Sequence, residues 1–289
     1  MNPSFERLIE RAEALINRIE AILPQPISAP AWEASIAFRY RKRSSGHGLL
    51  EPVRHVAQIA LGDLKEIDGQ KEKIQRNTEQ FVNGLPANNV LLTGARGTGK
   101  SSLIKACLNE YAPRGLRLIE VDKADLVDLP DIIELVSDRP EKFMVFCDDL
   151  SFEDGEPGYK ALKVVLDGSV AAASENCLIY ATSNRRHLMP EYMSENLEAK
   201  RVDDEIHPGE TVEEKISLSE RFGVWLSFYP FRQDDYLNIV RHWLKHFGVP
   251  DTHWSEAEPE ALRWALQRGS RSGRVAWQFA RDWAGKHAR

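Results

Sequence analysis

The sequence predicts an α/β fold, a parallel β-sheet flanked by helices, with a small helical domain at the C-terminal end. Two patterns predict it. Between residues 88 and 184, short apolar runs alternate with helix-like segments, which is typical of buried parallel strands joined by helices. After Phe231, apolar residues recur at helical spacing instead. A chain of 289 residues is long enough for one large domain and a smaller one.

Four apolar runs are the predicted core strands. They read NNVLLTG at residues 88–94, LRLIEVD at 116–122, KFMVFCDD at 142–149 and NCLIYATSN at 176–184. Each run ends in a glycine or a polar residue. Because the carboxyl ends of parallel strands meet at one edge of the sheet, ligands of such folds gather there. We therefore look for functional residues just after these runs.

The N-terminal part is predicted to be helical. Residues 5–22 place apolar side chains at heptad positions, and Pro24 ends the pattern. This amphipathic helix is too short for a coiled coil, so we favour packing on the chain's own body over a partner helix. Residues 24–31 resemble a linker, and residues 70–83 resemble a helix.

The C-terminal part is predicted to contain three helices. Residues 236–247 carry one apolar face, and two more helical stretches follow near 256–267 and 273–286. The chain is thus divided into an N-terminal helical region (1–60), an α/β domain (61–231) and a C-terminal helical domain (232–289).

Composition favours a cytoplasmic protein. The net charge of −6 gives no overall attraction to nucleic acid or to an anionic membrane. No apolar run approaches the roughly 20 residues of a membrane span, and the charged N-terminus is not expected to be a signal peptide. Cys107, Cys147 and Cys177 are far apart in apolar surroundings, so we expect buried free thiols.

Residues 91–104, LLTGARGTGKSSLI, hold the most specific motif, G-x-x-x-x-G-K-S. A glycine-rich turn between a strand and a helix directs several backbone N–H groups at an anion, and the helix dipole adds to that attraction. Lys100 is suited to the β- and γ-phosphates of a nucleotide, and the Ser101 hydroxyl to Mg²⁺. The predicted nucleotide-binding residues of this loop are Gly94, Ala95, Arg96, Gly97, Thr98, Gly99, Lys100, Ser101 and Ser102.

Two adjacent carboxylates follow the third core strand. Asp148 is predicted to hold Mg²⁺ together with Ser101, through the water shell of the ion. Asp149 is predicted to polarise the attacking water. Asp149 is one methylene shorter than the glutamate usual in this role. Glu153 is therefore the second candidate for the base.

Four further polar residues are candidates for the same site. Asn184 ends a core strand, where it is placed to orient water; alternatively it is only a turn residue. Arg221 lies between a polar helix end and the apolar run at residues 224–228; alternatively it is a surface salt-bridge partner. Arg271 and Arg274 begin the last helix and are candidate nucleotide contacts.

Other nucleotide proteins fit less well. DKAD at residues 122–125 imitates a guanine-specificity element, but it begins with aspartate and precedes Asp148, so we reject a GTPase. A small-molecule kinase needs an arginine-rich lid, whereas residues 190–216 are strongly acidic.

These motifs, in this order, resemble the AAA+ ATPase superfamily. In its terms, Gly94–Ser101 is similar to Walker A, Asp148 and Asp149 to Walker B, Asn184 to sensor 1 and Arg221 to the arginine finger. Arg271 and Arg274 are similar to sensor 2. The segment EIDGQKEKI at residues 66–74 is similar to the adenine-contacting segment. Together, NNVLLTGARGTGKSSL, FCDDLSFE, IYATSNRRHL and SLSERFG resemble the bacterial ATP-binding family called domain of unknown function 815, over about residues 35–285.

The resemblance implies a P-loop NTPase (AAA+-like) fold, ATP and Mg²⁺ as cofactors, and a homo-oligomer assembled through Arg221. It implies no substrate. Our interpretation is an ATPase that remodels or loads an unidentified macromolecular partner. Protein-threading rings carry an aromatic pore loop, which DKADLVDLPDI at 122–132 lacks, and Phe152 and Tyr159 are the nearest aromatic candidates for gripping a partner.

Two alternatives stay open. One is a nucleic-acid-binding loader, because Phe38 and Tyr40 are interleaved with basic residues in the stretch 38–48, and because residues 268–283 are rich in arginine and tryptophan. We favour the simpler interpretation of both stretches, in which the basic residues lie on a solvated face and the tryptophans belong to the core of the small domain. The other alternative is a phosphotransferase acting on a small molecule.

Overall fold

A computed structural model describes residues 9–16, 27–43, 46–152, 156–168, 175–185, 188, 200–202, 205–207 and 218–287. The strands are β1 (Ala37–Lys42), β2 (Gly48–Pro52), β3 (Val90–Gly94), β4 (Leu116–Glu120), β5 (Lys142–Cys147), β6 (Cys177–Ser183), β7 (Lys200–Val202), β8 (Glu205–His207) and β9 (Val224–Phe228). The helices are α1 (Asp68–Val82), α2 (Lys100–Tyr111), α3 (Leu129–Val136), α4 (Pro157–Asp167), α5 (Gln233–His246), α6 (Trp254–Gln267) and α7 (Gly273–His287).

The main sheet has seven strands in the order β2-β1-β4-β5-β6-β3-β9. Apart from the antiparallel pair of β1 and β2, all neighbouring strands run parallel. The four runs predicted as core strands are β3, β4, β5 and β6 in the centre, so the α/β prediction is confirmed. Since these strands run parallel, the residues that follow β3, β5 and β6 meet at one edge of the sheet.

The sheet separates two apolar cores, and successive residues of one strand contribute to opposite cores. On β3, Val90 and Leu92 pack with α1, α2 and the C-terminal helices, whereas Leu91 packs on the other face with α3 and α4. On β5, Met144 and Val145 divide in the same way. A strand buried on both faces reads as an uninterrupted apolar run, which is why these four strands stood out in the sequence.

The N-terminal region departs from the prediction. Residues 1–60 were expected to be helical, but β1 and β2 form an antiparallel hairpin that extends the sheet beside β4. The reason is an alternation of period two, since Phe38 and Tyr40 are buried while Arg39 and Arg41 are exposed. The aromatic residues interleaved with basic ones are therefore the two faces of a strand.

Residues 9–16 are helical, and all eight are exposed, Leu15 by 59%. Among the described residues this stretch does not pack on the body of the chain, contrary to our expectation. The rest of the predicted helix over 5–22 lies outside the described residues. So does most of the acidic segment 190–216, apart from the two short strands β7 and β8 that pair with each other.

The three C-terminal helices form the predicted small domain. The buried hydroxyl of Tyr236 on α5 donates a hydrogen bond to the carbonyl oxygen of Ala261 on α6, at 3.1 Å. Trp264 on α6 contacts Phe279 on α7 edge to face, with ring centroids 6.1 Å apart. Across the part of the chain that the structure describes, no helix is long and apolar enough to cross a membrane.

Candidate functional site

The glycine-rich loop connects β3 to α2, as its sequence predicted. Gly94 and Gly97 both have a positive φ, 119° and 73° respectively, which residues with side chains rarely adopt. A Cβ atom on Gly94 would collide with the carbonyl oxygen of Phe228 at the end of β9. On Gly97 it would lie 2.8 Å from the Ser272 hydroxyl oxygen, just before α7. Glycine therefore lets the loop fit between β9 and the small domain.

Lys100, the first residue of α2, turns its side chain back into the loop. Its Nζ donates hydrogen bonds to the carbonyl oxygens of Gly94 and Ala95, at 2.7 and 2.8 Å. It also donates to Oδ1 of Asn184, at 3.1 Å. Burial lowers the pKa of the Lys100 ammonium, while the nearby carboxylates of Asp148 and Asp149 act in the opposite direction.

Ser101 and Asp148 lie side by side at the edge of the sheet. The Ser101 hydroxyl donates to Oδ1 of Asp148 at 2.6 Å, and the same carboxylate oxygen accepts a hydrogen bond from Thr182 at 2.5 Å. A hydroxyl and a carboxylate are the hard oxygen donors that Mg²⁺ takes, usually together with water and substrate phosphates. The residues present therefore fit the predicted metal.

Asp149 and Asn184 form the second pair of the site. Asn184 Nδ2 donates a hydrogen bond to Oδ1 of Asp149. Asp149 has a φ of 53°, in the left-handed region that aspartate tolerates better than most residues. Arg96 of the loop lies 3.9 Å from the other carboxylate oxygen of Asp149, and both side chains are exposed. The amide of Asn184 therefore contacts both Lys100 and Asp149, and its role in orienting water stays a prediction.

A cleft of about 690 Å³ lies between this edge of the sheet and the small helical domain. One wall holds Arg96 to Ser102 of the loop, together with Asp148, Asp149 and Asn184. The opposite wall comes from the segment before α1 and from the C-terminal helices, and includes Ile67, Ile239, Trp243, His246, Arg274 and Trp277. Arg274 thus lines the cleft, whereas Arg271 is exposed and does not line it.

Arg221 lies away from the cleft, just before β9. Its guanidinium forms an ion pair with Asp167, the last residue of α4. Within one chain, Arg221 therefore forms the salt bridge that we named as the alternative to a role in a neighbouring subunit's site. The role of Arg221 in a neighbouring subunit's site stays a prediction.

A family model described as a protein of unknown function, DUF815, matches residues 33–287. The chain belongs to the DUF815 family. The match covers the hairpin, the sheet, the cleft and the small domain of this DUF815 chain together.

Several solved structures resemble the DUF815 chain in fold. A variant of RuvB from Thermotoga maritima has a TM-score of 0.50 and 14% identity, over 78% of this chain and 64% of RuvB. The Orc1 protein of Aeropyrum pernix, in complex with DNA, has a TM-score of 0.51 and 15% identity, over 74% of this chain and 58% of Orc1. The FIGL-1 AAA domain, in complex with ADP, has a TM-score of 0.51 and 17% identity, over 80% of this chain and 74% of that domain.

These likenesses show the fold of the DUF815 chain, which is the AAA+ type of P-loop NTPase with C-terminal helices. The chain spans just under two thirds of the length of the RuvB chain that it matches. In the sheet, β3, the strand that leads into the glycine-rich loop, lies between β6 and the edge strand β9.

One expectation about the site is wrong. Phe152 and Tyr159 were the candidates for gripping a partner, but both are buried against each other, with ring centroids 5.8 Å apart. Phe152 packs in the core that also holds α3 and α4, where burial of its apolar ring is favourable. Glu153, the second candidate for the base, lies outside the described residues.

Sequence reasoning missed Thr182 and the aromatic wall of the cleft. Thr182 precedes Asn184 by two residues in YATSN, so its position at a strand end was a usable signal. Trp243 and Trp277 lie on α5 and α7, where helical periodicity alone indicates only an apolar face.

Proposed function

We propose that this DUF815 chain binds ATP with Mg²⁺ and hydrolyses it as one subunit of a cytoplasmic AAA+-type homo-oligomer. One observation carries the proposal. The Lys100 ammonium, the Ser101–Asp148 pair and the Asn184–Asp149 pair converge in a single cleft, although they come from three different strand ends. This is the set of groups that positions a phosphoryl transfer and stabilises its charge.

Each residue has a distinct task in this proposal. The loop amides and Lys100 hold the β- and γ-phosphates. Ser101 and Asp148 hold Mg²⁺, which when bound neutralises phosphate charge. Asp149 polarises a water molecule, and Asn184 orients that water beside the γ-phosphate. Arg274 contacts the nucleotide from the small domain.

Arg221 supplies the remaining positive charge in the proposal, but to a neighbouring subunit. It lies outside its own cleft, on the loop that leads into β9. An arginine added to a nucleotide site in this way accelerates hydrolysis about a thousandfold or more. Hydrolysis would then depend on assembly, and subunit movement would remodel or load a macromolecular partner.

The nucleic-acid alternative loses support from the hairpin. Three of its basic side chains are paired with carboxylates: Arg39 with Glu120 at 2.7 Å, Arg41 with Glu51 at 3.3 Å and Lys42 with Asp128 at 2.9 Å. Paired charges contribute little to polyanion binding, which depends on releasing counterions from phosphates. The binding of DNA belongs to Orc1, as described for that structure.

Phosphate release from ATP by the purified chain tests the proposed function, with no acceptor molecule added. We expect hydrolysis that requires Mg²⁺, and binding of ATP measurable by calorimetry. A phosphotransferase would release little phosphate until an acceptor was supplied. No binding of ATP at any Mg²⁺ concentration would contradict the proposal.

A further inference from the structure

Thr182 contacts both aspartates of the site, the carboxylate of Asp148 and the backbone N–H of Asp149. It lies on β6, two residues before Asn184, and only 2% of it is exposed. Its Oγ1 lies 2.5 Å from Oδ1 of Asp148 and 2.9 Å from the backbone nitrogen of Asp149. Its carbonyl oxygen accepts a hydrogen bond from the backbone N–H of Leu150 at 2.7 Å. One residue of β6 therefore holds three consecutive residues after β5.

The direction of these hydrogen bonds is fixed. A threonine hydroxyl has a single proton. Because the Asp149 N–H donates to Oγ1, that oxygen is the acceptor there, and its own proton points to the carboxylate of Asp148. A hydrogen bond to an ionised carboxylate is among the stronger kinds. The branched, buried side chain of Thr182 has little rotational freedom, so the hydroxyl is a rigid reference point.

The two contacts set the two carboxylates relative to each other. Oδ1 of Asp148 accepts from Thr182 and also from Ser101, at 2.6 Å, so the carboxylate is oriented toward the first turn of α2. The contact with the Asp149 N–H supports the left-handed backbone at that residue, whose side chain then reaches Asn184.

We infer that Thr182 is a positioning residue that fixes the metal-holding carboxylate of Asp148 relative to the water-polarising carboxylate of Asp149. This inference rests on the proposed Mg²⁺-dependent ATPase function. Thr182 itself touches neither nucleotide nor metal in this account. It acts through the two aspartates.

The test compares three variants with the wild-type chain. Thr182→Val removes the hydroxyl and keeps the shape, and Thr182→Ser keeps the hydroxyl. Thr78→Val is the matched control, because Thr78 is fully buried and its Oγ1 lies 2.9 Å from the Tyr180 hydroxyl. Tyr180 is two residues before Thr182, so the control removes a buried hydroxyl bonded to the same strand, away from the carboxylates.

Three quantities are measured: the Mg²⁺ concentration for half-maximal ATP hydrolysis, the ATP affinity by calorimetry with Mg²⁺ or with EDTA, and the unfolding temperature. We expect Thr182→Val to need about 10- to 100-fold more Mg²⁺, as for other residues that orient metal ligands. In EDTA its ATP affinity should equal that of the wild type, because Lys100 and the loop are unchanged. Thr182→Ser and Thr78→Val should keep the wild-type Mg²⁺ requirement.

A wild-type Mg²⁺ requirement in Thr182→Val would overturn the inference and leave the proposed function standing. An equal loss of ATP affinity with and without Mg²⁺ would also overturn it, because that is the result of a purely structural role. A wild-type chain without Mg²⁺-dependent ATP binding would overturn the proposed function and the inference together. If Thr182→Val does not fold, Thr182→Ala replaces it, and unfolding of both would show that the hydroxyl holds the fold rather than the two aspartates.

Discussion

The ammonium nitrogen of Lys100 lies 3.1 Å from the side-chain oxygen of Asn184, although the two residues are 84 positions apart in the chain. The same amide group donates a hydrogen bond to Asp149. Asn184 therefore connects the cation of the glycine-rich loop to the carboxylate beside β5. In the proposed function, the two groups that surround the γ-phosphate are aligned by this one amide.

Replacing Lys100 with alanine should abolish hydrolysis and weaken ATP binding by at least about tenfold, or roughly 1.4 kcal/mol. The reason is that the buried positive charge on the β- and γ-phosphates is lost. Calorimetry with Mg·ATP measures the affinity, and Lys105→Ala on the same helix is the control, because Lys105 does not line the cleft. Equal ATP affinity in Lys100→Ala and wild type would contradict this role.

Asp149→Asn should still bind Mg·ATP but hydrolyse it at least about 100-fold more slowly, because an amide is a poor acceptor for the proton of the attacking water. Single-turnover hydrolysis and calorimetry on the same preparation separate the two effects. Full turnover in Asp149→Asn, together with its loss in Glu153→Gln, would transfer the role of base to Glu153.

Asp148→Asn should behave differently, because this carboxylate is proposed to hold the metal with Ser101. We expect ATP affinity in EDTA to be unchanged, and the gain in affinity on adding Mg²⁺ to be lost. Titration of Mg²⁺ against a fixed ATP concentration measures this gain. A normal gain in Asp148→Asn would place the metal elsewhere.

The three cysteines should be unreactive in the native chain. Cys107 and Cys147 are buried, as expected, whereas Cys177 is only partly buried. Burial nevertheless raises the pKa of all three thiols to about 12, so very little reactive thiolate exists near neutral pH. We expect labelling by a thiol reagent at pH 8 to be at least about 100-fold slower in the native chain than in concentrated guanidinium, where all three cysteines react. Fast labelling of Cys107 or Cys147, which are fully buried, would show that the native fold opens readily.

The sequence was sufficient to predict the centre of the fold and the wall of the cleft that the strand ends form. The runs ending at Gly94, Asp148 and Asn184 are buried on both faces, so their apolar composition and polar ends were visible without any partner. The hairpin at 37–52 was missed because its alternation of aromatic and basic residues was interpreted as a surface feature. Thr182 was missed because its hydroxyl acts through contacts between strands that are far apart in sequence.

Arg271 and Arg274 show what sequence spacing leaves undecided. Both begin α7 or precede it by a few residues, and only the packing of that helix against Gly97 decides which one lines the cleft. Arg221 is a different case, since its proposed acceptor lies on another subunit. The contacts of a single chain, including the ion pair with Asp167, do not determine that role.

The central claim is that each complete ATP site uses Lys100 of one subunit and Arg221 of its neighbour. The most direct measurement is the ATPase rate of Arg221→Ala mixed with Lys100→Ala over a range of ratios, with the double variant Lys100→Ala/Arg221→Ala replacing Lys100→Ala as control. We predict that Arg221→Ala alone binds ATP nearly normally and loses most turnover. We also predict that the ATPase rate of the mixture exceeds the sum of the two separate rates at intermediate ratios. The reason is that a Lys100→Ala subunit supplies its intact Arg221 to the site of an Arg221→Ala neighbour. The control mixture should show no such gain. A mixture whose rate equals the sum of its parts at every ratio, with a wild-type chain that sediments as a monomer in ATP, would contradict the claim and return Arg221 to a surface ion pair.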